Sequence, residues 1–362
     1  MITRNEKRDT GHETRDAGHG TRDTGHGTRD TGRGTRDAGH GTRDTGRGTR
    51  DAGHGINDDF GFTIYDLRFK ILNFGLLLVH KIWNMFLRRY FLFFVLYLLA
   101  CPAIGQSLKI MTYNIRYDNP GDGPDAWPIR KAWLCEQIKT VSPGIFGIQE
   151  GLTHQVNYID IAFTGFRHIG VGRDDGKAKG EFSAIWYDIK KFRMVRQGNI
   201  WLSPTPEKPS MGWDAACIRL CTYGLFRDIQ SGKKFWVFNT HFDHIGVQAR
   251  KNSALLILQR IAALNKSGFP VILMGDFNGD PDSEPIKIIS GKMKDAKSAD
   301  KSMSMGPDGT FNGFNPQKPA IQRIDFIFTG YGANPVNYFV LREMREGHYA
   351  SDHFPVAADV NF

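Results

Sequence analysis

Apolar positions recur at two spacings along residues 106–362. Runs with apolar residues adjacent or alternating predict strands over 108–113, 145–149, 182–187, 192–202, 218–228, 234–240, 271–274, 324–328, 336–341 and 355–360. Spacings of three and four predict helices over 129–141, 154–161, 247–264 and 284–289. The third is clearest, with Ala254, Leu255, Leu258, Ile261 and Ala262 on one face. Gln230-Ser231-Gly232-Lys233 between two strands is a hairpin signal. Strands predominate and several pair through short turns. That pattern predicts an α/β (α+β) domain of packed sheets with helices outside, not a regular parallel βαβ wheel. A Lys-, Ser-, Gly- and Pro-rich stretch over 291–319 reads as a lid or substrate loop.

The N-terminal third follows neither period. A seven-residue unit close to Gly-His/Arg-Gly-Thr-Arg-Asp-Thr/Ala starts at Gly11, Gly18, Gly25, Gly32, Gly39, Gly46 and Gly53. It has no apolar position and cannot bury a core. Its Thr-Arg-Asp step also cancels the arginine's charge, which argues against a nucleic-acid-binding arm. Residues 1–84 are therefore expected to be low-complexity upstream sequence outside the true protein. Residues 85–105 then have the layout of a signal peptide: Arg88-Arg89, an apolar run over 90–100, and small residues around Ala103-Ile104-Gly105. Export as a periplasmic or secreted protein is expected. The alternatives are a lipid anchor at Cys101, in Leu98-Leu99-Ala100-Cys101, or a membrane anchor through 85–100, though the run is short of the roughly 20 apolar residues a span needs.

Removing residues 1–105 leaves one domain's worth of chain, with 31 Lys and Arg against 26 Asp and Glu, a net charge of +5. That is too mild to imply a nucleic-acid partner, and it suits an anionic substrate. Cys217 and Cys221 are four apart in a predicted strand, about 13 Å and too far for a disulfide. With Cys135 they read as packing residues.

The chemistry gathers where predicted strands end. Val271-Ile272-Leu273-Met274 stops at Gly275 and presents Asp276 and Asn278, which face one way if the segment stays extended. Tyr113-Asn114, Gln149-Glu150, Thr240-His241-Phe242-Asp243-His244 and Ser351-Asp352-His353 carry further amide, acid and imidazole groups. Hard oxygen ligands without nearby cysteine suit Mg²⁺, with Mn²⁺ possible, better than zinc. Metal, carboxylate and histidine together are the tools for hydrolysing a phosphate ester. Trp127, Trp201 and Trp213 are candidates for stacking on a base.

In order, Asn114, Glu150, His241, Gly275-Asp276-Phe277-Asn278, Arg323-Ile324-Asp325 and Ser351-Asp352-His353 resemble the motifs of the endonuclease/exonuclease/phosphatase superfamily. Within it the chain is most similar to secreted bacterial members of the branch holding carbon catabolite repressor deadenylases and nocturnin. The resemblance implies a four-layered α/β sandwich of the deoxyribonuclease I type: two mostly antiparallel sheets flanked by helices. It implies Glu150 as the principal metal ligand, with Asn114 beside it and Asp352 completing the acidic site. Asp276 would orient or deprotonate the attacking water, and Asn278 would hold a phosphate oxygen. His353, oriented by Asp325, matches the essential histidine. His241 matches the second, with Glu181 as its carboxylate partner. Asp243 and His244 are additional to the pattern, and a structural cap and a catalytic role are both open to them. The expected activity is an exported Mg²⁺-dependent phosphoesterase, a nuclease or phosphodiesterase of 3′–5′ exonuclease type. Alternatives are a sugar, inositol or nucleotide phosphatase, a sphingomyelinase-like lipid enzyme, or an inactive phospho-ligand binding module. The substrate class therefore spans nucleic acid, nucleotide, lipid head group and sugar phosphate, acted on by a monomer with no obligate protein partner.

Overall fold

The computed structural model describes residues 64–100, 107–299 and 304–362. The repeat and the cleavage region with Cys101 lie outside the described residues. Helix α1 (Ile64–Ala100), described by itself, is unbroken over 37 residues. The charges at Lys81, Arg88 and Arg89 interrupt its apolar character but not its backbone, because Lys and Arg are good helix formers. Among the described residues, no helix is long and apolar enough to cross a membrane.

From Ser107 onward the elements follow in order. They are β1 (Leu108–Asn114), a 3₁₀ turn (Pro120–Asp125), α2 (Trp127–Val141), β2 (Ile145–Gln149), α3 (Thr153–Ala162), β3 (Phe166–Ile169), β4 (Ile185–Asp188), β5 (Phe192–Trp201) and β6 (Leu220–Asp228). Then come β7 (Lys234–His241), α4 (Val247–Leu264), β8 (Val271–Asp276), α5 (Glu284–Ser290), β9 (Lys294–Asp295), α6 (Ala296–Ala299), β10 (Ser304–Met305), β11 (Asp325–Gly330), β12 (Asn334–Val340) and β13 (Val356–Asn361). One sheet has the order β10-β12-β13-β1-β2-β4-β3, the other β5-β6-β7-β8-β11-β9. Both are mixed: β1 runs parallel to β2, β12 to β10 and β7 to β8, and the other pairings are antiparallel.

Strand alternation builds the layers. Successive side chains on a strand point to opposite faces. Ile110, Ile145, Val237, Ile272, Met274 and Ile327 therefore fill the space between the sheets. Their neighbours Met111, Phe146 and Ile148 pack under α2 and α3 against Leu134, Ile138 and Ile159. On the second sheet Phe238, Leu273, Phe326 and Phe328 pack under α4 and α5 against Ile257, Ile261, Ile286 and Ile289. The result is the expected four-layered sandwich, helix–sheet–sheet–helix. Each fully buried Ile, Leu or Phe contributes about 1.5–3 kcal/mol to holding the layers together.

Three local expectations need correction. The strand expected from 182 begins at Ile185, because Phe182 makes only isolated bridges to Gly151 and Gly172. Strand β3 was not legible, since Phe-Arg-His-Ile is too short and mixed to show a period. The 291–319 stretch is no free lid: β9 pairs with β11 and β10 with β12.

The space between the sheets is apolar in its middle and polar toward one end. There Gln149 Nε2 donates to Thr112 Oγ1 at 3.0 Å and to Asn239 Oδ1 at 2.6 Å. Asn239 Nδ2 donates to the carbonyls of Ile148 and Ala184. Gly147 makes room for this tier, since a Cβ there would lie 2.6 Å from Asn239.

Candidate active site

Inward-facing parity carries directly from core to site. Ile110, Thr112 and Asn114 share one face of β1; Val237, Asn239 and His241 share one face of β7; Ile272, Met274 and Asp276 share one face of β8. Register puts His241 beside Asp276, and Asp276 beside Asp325. Thus each strand ends its inward series in a polar group, just beyond the polar tier. Gly275 allows this convergence: its φ is +147°, and a Cβ would sit 2.0 Å from the Thr240 carbonyl oxygen.

Asp276 is the hub and is buried. Its Oδ2 accepts from Asn114 Nδ2 at 3.0 Å and lies 3.4 Å from His241 Nε2 and 3.8 Å from His353 Nε2. Its Oδ1 accepts from the Asn278 backbone N–H at 2.9 Å. Burial, reinforced by the nearby Asp325 carboxylate, raises its pKa to about 7. The expectation that Asp276 and Asn278 share an extended face is replaced by a tighter device. Strand β8 ends at Asp276, and Asn278 turns into the left-handed region with φ +45°. Its amide nitrogen reaches the Phe242 carbonyl at 3.0 Å and stands 3.1 Å from His241 Nε2.

His353 Nδ1 lies 2.8 Å from Asp325 Oδ2. Burial alone would pull the imidazole's pKa down. Asp325, with Asp276 on the far side, outweighs it and holds His353 at about 10, so the ring is cationic at neutral pH. Thr310 Oγ1 accepts from the backbone N–H groups of Ile324 and Asp325 and fixes the approach to β11.

The third group contains Asn114, Glu150 and Asp352. Asn114 Nδ2 donates to Glu150 Oε1 at 3.1 Å, and Glu150 Oε2 accepts from the Tyr117 N–H at 3.1 Å. Glu150 is held at φ +65°, a strained setting for a non-glycine residue at the end of β2. Asp352 is buried, its nearest cation Arg116 Nε at 3.9 Å. Burial raises its pKa to about 6, and the Glu150 charge adds to the rise. Two neighbouring carboxylates, Glu150 and Asp352, with the neutral amide of Asn114 offer hard oxygen donors of the kind a divalent cation takes. Asp276, Asp325 and His353 also hold donor atoms within 4.8 Å of one another. There the cationic His353 already supplies the positive charge between the acids, so Asn114, Glu150 and Asp352 are the better-suited set.

One expected contact is absent. Glu181 does not touch His241 among the described residues; its Oε2 takes Arg173 Nη1 at 2.6 Å and lies 3.7 Å from Arg219 Nη1. Arg219, which no motif singled out, stands between them with Nη1 2.9 Å from His241 Nδ1. A guanidinium has no acceptor, so Nδ1 must accept and the ring's proton sits on Nε2. Burial, with Arg219 and Arg173 adding repulsion, lowers the His241 pKa well below its ordinary value. His241 is therefore neutral.

Asp243 is a structural hub. Its Oδ2 accepts from the Ala216 and Cys217 N–H groups, and its Oδ1 from those of Ile245 and Gly246. Of the three tryptophans, Trp127 and Trp201 are buried, and Trp213 is 39% exposed. The three cysteines of the domain are free thiols.

Residues 111–353 match the Endonuclease/Exonuclease/phosphatase family. The chain belongs to that family. It is a hydrolase acting on phosphate ester bonds, and enzymes of this family typically depend on a divalent metal. The Bacteroides thetaiotaomicron mannosyl-6-phosphatase is 38% identical, with a TM-score of 0.67 over 71% of this chain and 100% of that one. A probable RNA exonuclease of Saccharomyces cerevisiae, NGL3, is 31% identical over 210 residues, 51% of this chain and 40% of that protein, so the chain spans about two fifths of its length. Human nocturnin is 22% identical over 302 residues, 72% of this chain and 67% of that protein. These likenesses support the nocturnin-like branch of the superfamily.

Proposed function

We propose that the chain is an exported, Mg²⁺-dependent phosphatase that hydrolyses a phosphomonoester on a compact polar alcohol, with sugar phosphates as the class. The observation that carries this reading is a pair of converging donors. His241 Nε2–H and the Asn278 amide stand 3.1 Å apart. Both are donors and cannot bond each other; Asn278 Nδ2 spends one hydrogen on the Phe242 carbonyl and keeps a second, so one acceptor oxygen beside the pair can take a hydrogen bond from each. A phosphoryl oxygen fits that place, next to the Asp276 carboxylate that lies 3.4 Å from His241 Nε2.

The chain's own groups divide the work. His241 and Asn278 bind and orient the phosphoryl group. Asp276, a carboxyl near neutrality, orients the attacking water and takes its proton. His353, held by Asp325, keeps a positive charge beside Asp276 and the developing negative charge. Glu150, Asn114 and Asp352 would hold Mg²⁺, which supplies positive charge to the phosphoryl oxygens and leaving group when bound.

Two observations favour a small substrate over a polyanion. The mannosyl-6-phosphatase is similar over its whole length. The arginines around the site are also spent on the protein: Arg130 on the carbonyls of Asp125, Ile115, Ala350 and Arg116, Arg323 on Asp295, and Arg116 on Asp122. The likeness to a probable RNA exonuclease keeps a nuclease as the second reading. Export rests on the signal-like sequence over 85–105. A screen with Mg²⁺ and with EDTA tests the reading, using mannose 6-phosphate, other sugar phosphates, nucleotides, RNA, single-stranded DNA and sphingomyelin. Release of phosphate from sugar phosphates, absent with EDTA and in His353→Ala, is expected. Cleavage of RNA alone would move the chain to the second reading.

A further inference from the structure

We propose that Arg219 is a positioning residue that sets the tautomer of two imidazoles at once, His241 and His244, so that His241 meets the substrate as a hydrogen-bond donor and not as a base. This rests on the reading of His241 as a phosphate-oxygen ligand and adds what makes it one.

Arg219 lies just before β6 and is 6% exposed. Its Nη1 is 2.9 Å from His241 Nδ1 and its Nη2 is 3.2 Å from His244 Nδ1. The planar fork therefore places one N–H on each ring. A guanidinium stays protonated and offers only donors, so each Nδ1 that meets the fork accepts, which leaves the ring proton on Nε2. A carboxylate at the same place would do the reverse. It would draw a proton to Nδ1 and leave Nε2 bare, a base or, once protonated, an acid. The exchange of a carboxylate contact for a guanidinium thus changes what His241 does.

The arginine is itself held. Glu181 Oε2 lies 3.7 Å from Nη1 and Asp243 Oδ2 3.7 Å from Nε. These two acids balance the buried charge. Glu181 acts on His241 at one remove, through the arginine. His244, outside the superfamily pattern, is exposed beside the site and shares the same fork.

The experiment labels the histidines of the full chain with ¹⁵N and records ring nitrogen correlations in wild type, Arg219→Leu and Arg219→Lys, alongside kinetics on mannose 6-phosphate. In wild type, His241 is expected with Nδ1 unprotonated and Nε2 protonated. Arg219→Leu is expected to give mixed tautomers or a protonated ring, with kcat down about 100-fold, the scale of losing one preorganised donor, and KM changed much less. Arg219→Lys keeps a donor-only cation and is expected to restore the Nε2–H form and most of kcat. If Arg219→Leu does not fold, Arg219→Gln takes its place, an uncharged side chain that still donates an N–H, and retention of the Nε2–H form is expected. An unchanged tautomer and kcat in Arg219→Leu overturn the inference, as does loss of the Nε2–H form in both Arg219→Lys and Arg219→Gln. His241→Ala separates the two levels. If it is inactive while Arg219→Leu keeps its tautomer, the Arg219 inference fails and the site reading stands; full activity in His241→Ala sinks both.

Discussion

Asp243 lies two residues from His241, yet its hydrogen bonds mark it as a structural cap, and that can be tested quantitatively. Burial would raise its pKa, but four backbone N–H groups outweigh burial and draw it from 3.8 down to about 2. At about 1.4 kcal/mol per pH unit, that depression corresponds to roughly 2–3 kcal/mol of folding stability at neutral pH. The sign follows from the direction. A carboxyl whose folded pKa is depressed stabilises the fold above its unfolded pKa, near 4, and loses that contribution as pH falls toward 2. Asp243→Asn keeps the shape but turns one acceptor into an NH₂ facing two backbone donors. It is expected to cost about 2–4 kcal/mol at pH 7, the range for losing charge-assisted bonds and leaving buried N–H groups unpaired. Urea unfolding of wild type and variant at pH 7, 5 and 3 measures the difference. The gap should be full at pH 7 and 5 and shrink at pH 3, with no change in m. A gap of the same size at all three pH values would refute the electrostatic account. A variant that keeps its stability at all three pH values would refute the structural role altogether.

Other outcomes follow from the same geometry. Millimolar Mg²⁺ is expected to raise the wild-type melting temperature, by about 2.7 kcal/mol of stabilisation at 100 times Kd, and to leave Glu150→Gln unmoved; calorimetric scans check this. Gly275→Ala should destabilise by about 3 kcal/mol or more, because the Cβ meets the Thr240 oxygen and φ is unsuited to alanine; a soluble variant melting like wild type would contradict this. Because the His353 pKa is raised to about 10, its ion-paired form stabilises the fold fully below pH 6.5 and is lost as pH rises through 10. Asp325→Asn should abolish that alkaline loss in thermal unfolding followed from pH 7 to 11.

Much of this was legible because strand parity is a local property. The run from Val271 to Met274 marks both a buried strand and the face on which Asp276 must emerge. The helix over 247–264 was equally plain, its period being sustained for five turns. What stayed hidden depends on distant neighbours. Arg219 reads as one cation in an apolar strand, and only the fold brings it 2.9 Å from an imidazole 22 positions away. The resemblance pairs Glu181 with His241, but Arg219, 3.7 Å from Glu181, stands between them. Thr310 lies in a stretch whose composition suggests a loose loop, and its hydroxyl nevertheless supports Asp325. Asn278 does not share an extended face with Asp276 because the strand stops two residues earlier, where Asp276 captures the Asn278 backbone N–H for itself.

The amide tier of Thr112, Gln149 and Asn239 separates the site from the apolar centre of the sandwich. Its bonds run between strands of both sheets and end on backbone carbonyls, so the tier is tied to the backbone and not to the side chains on either side of it. The site and the core are thus two nearly independent ledgers of free energy. Substitutions at His241 or Asn278 should combine additively with core substitutions such as Ile145→Val, coupling by no more than about 0.5 kcal/mol. A family built on this frame can exchange the groups around its phosphate cradle without repacking its interior.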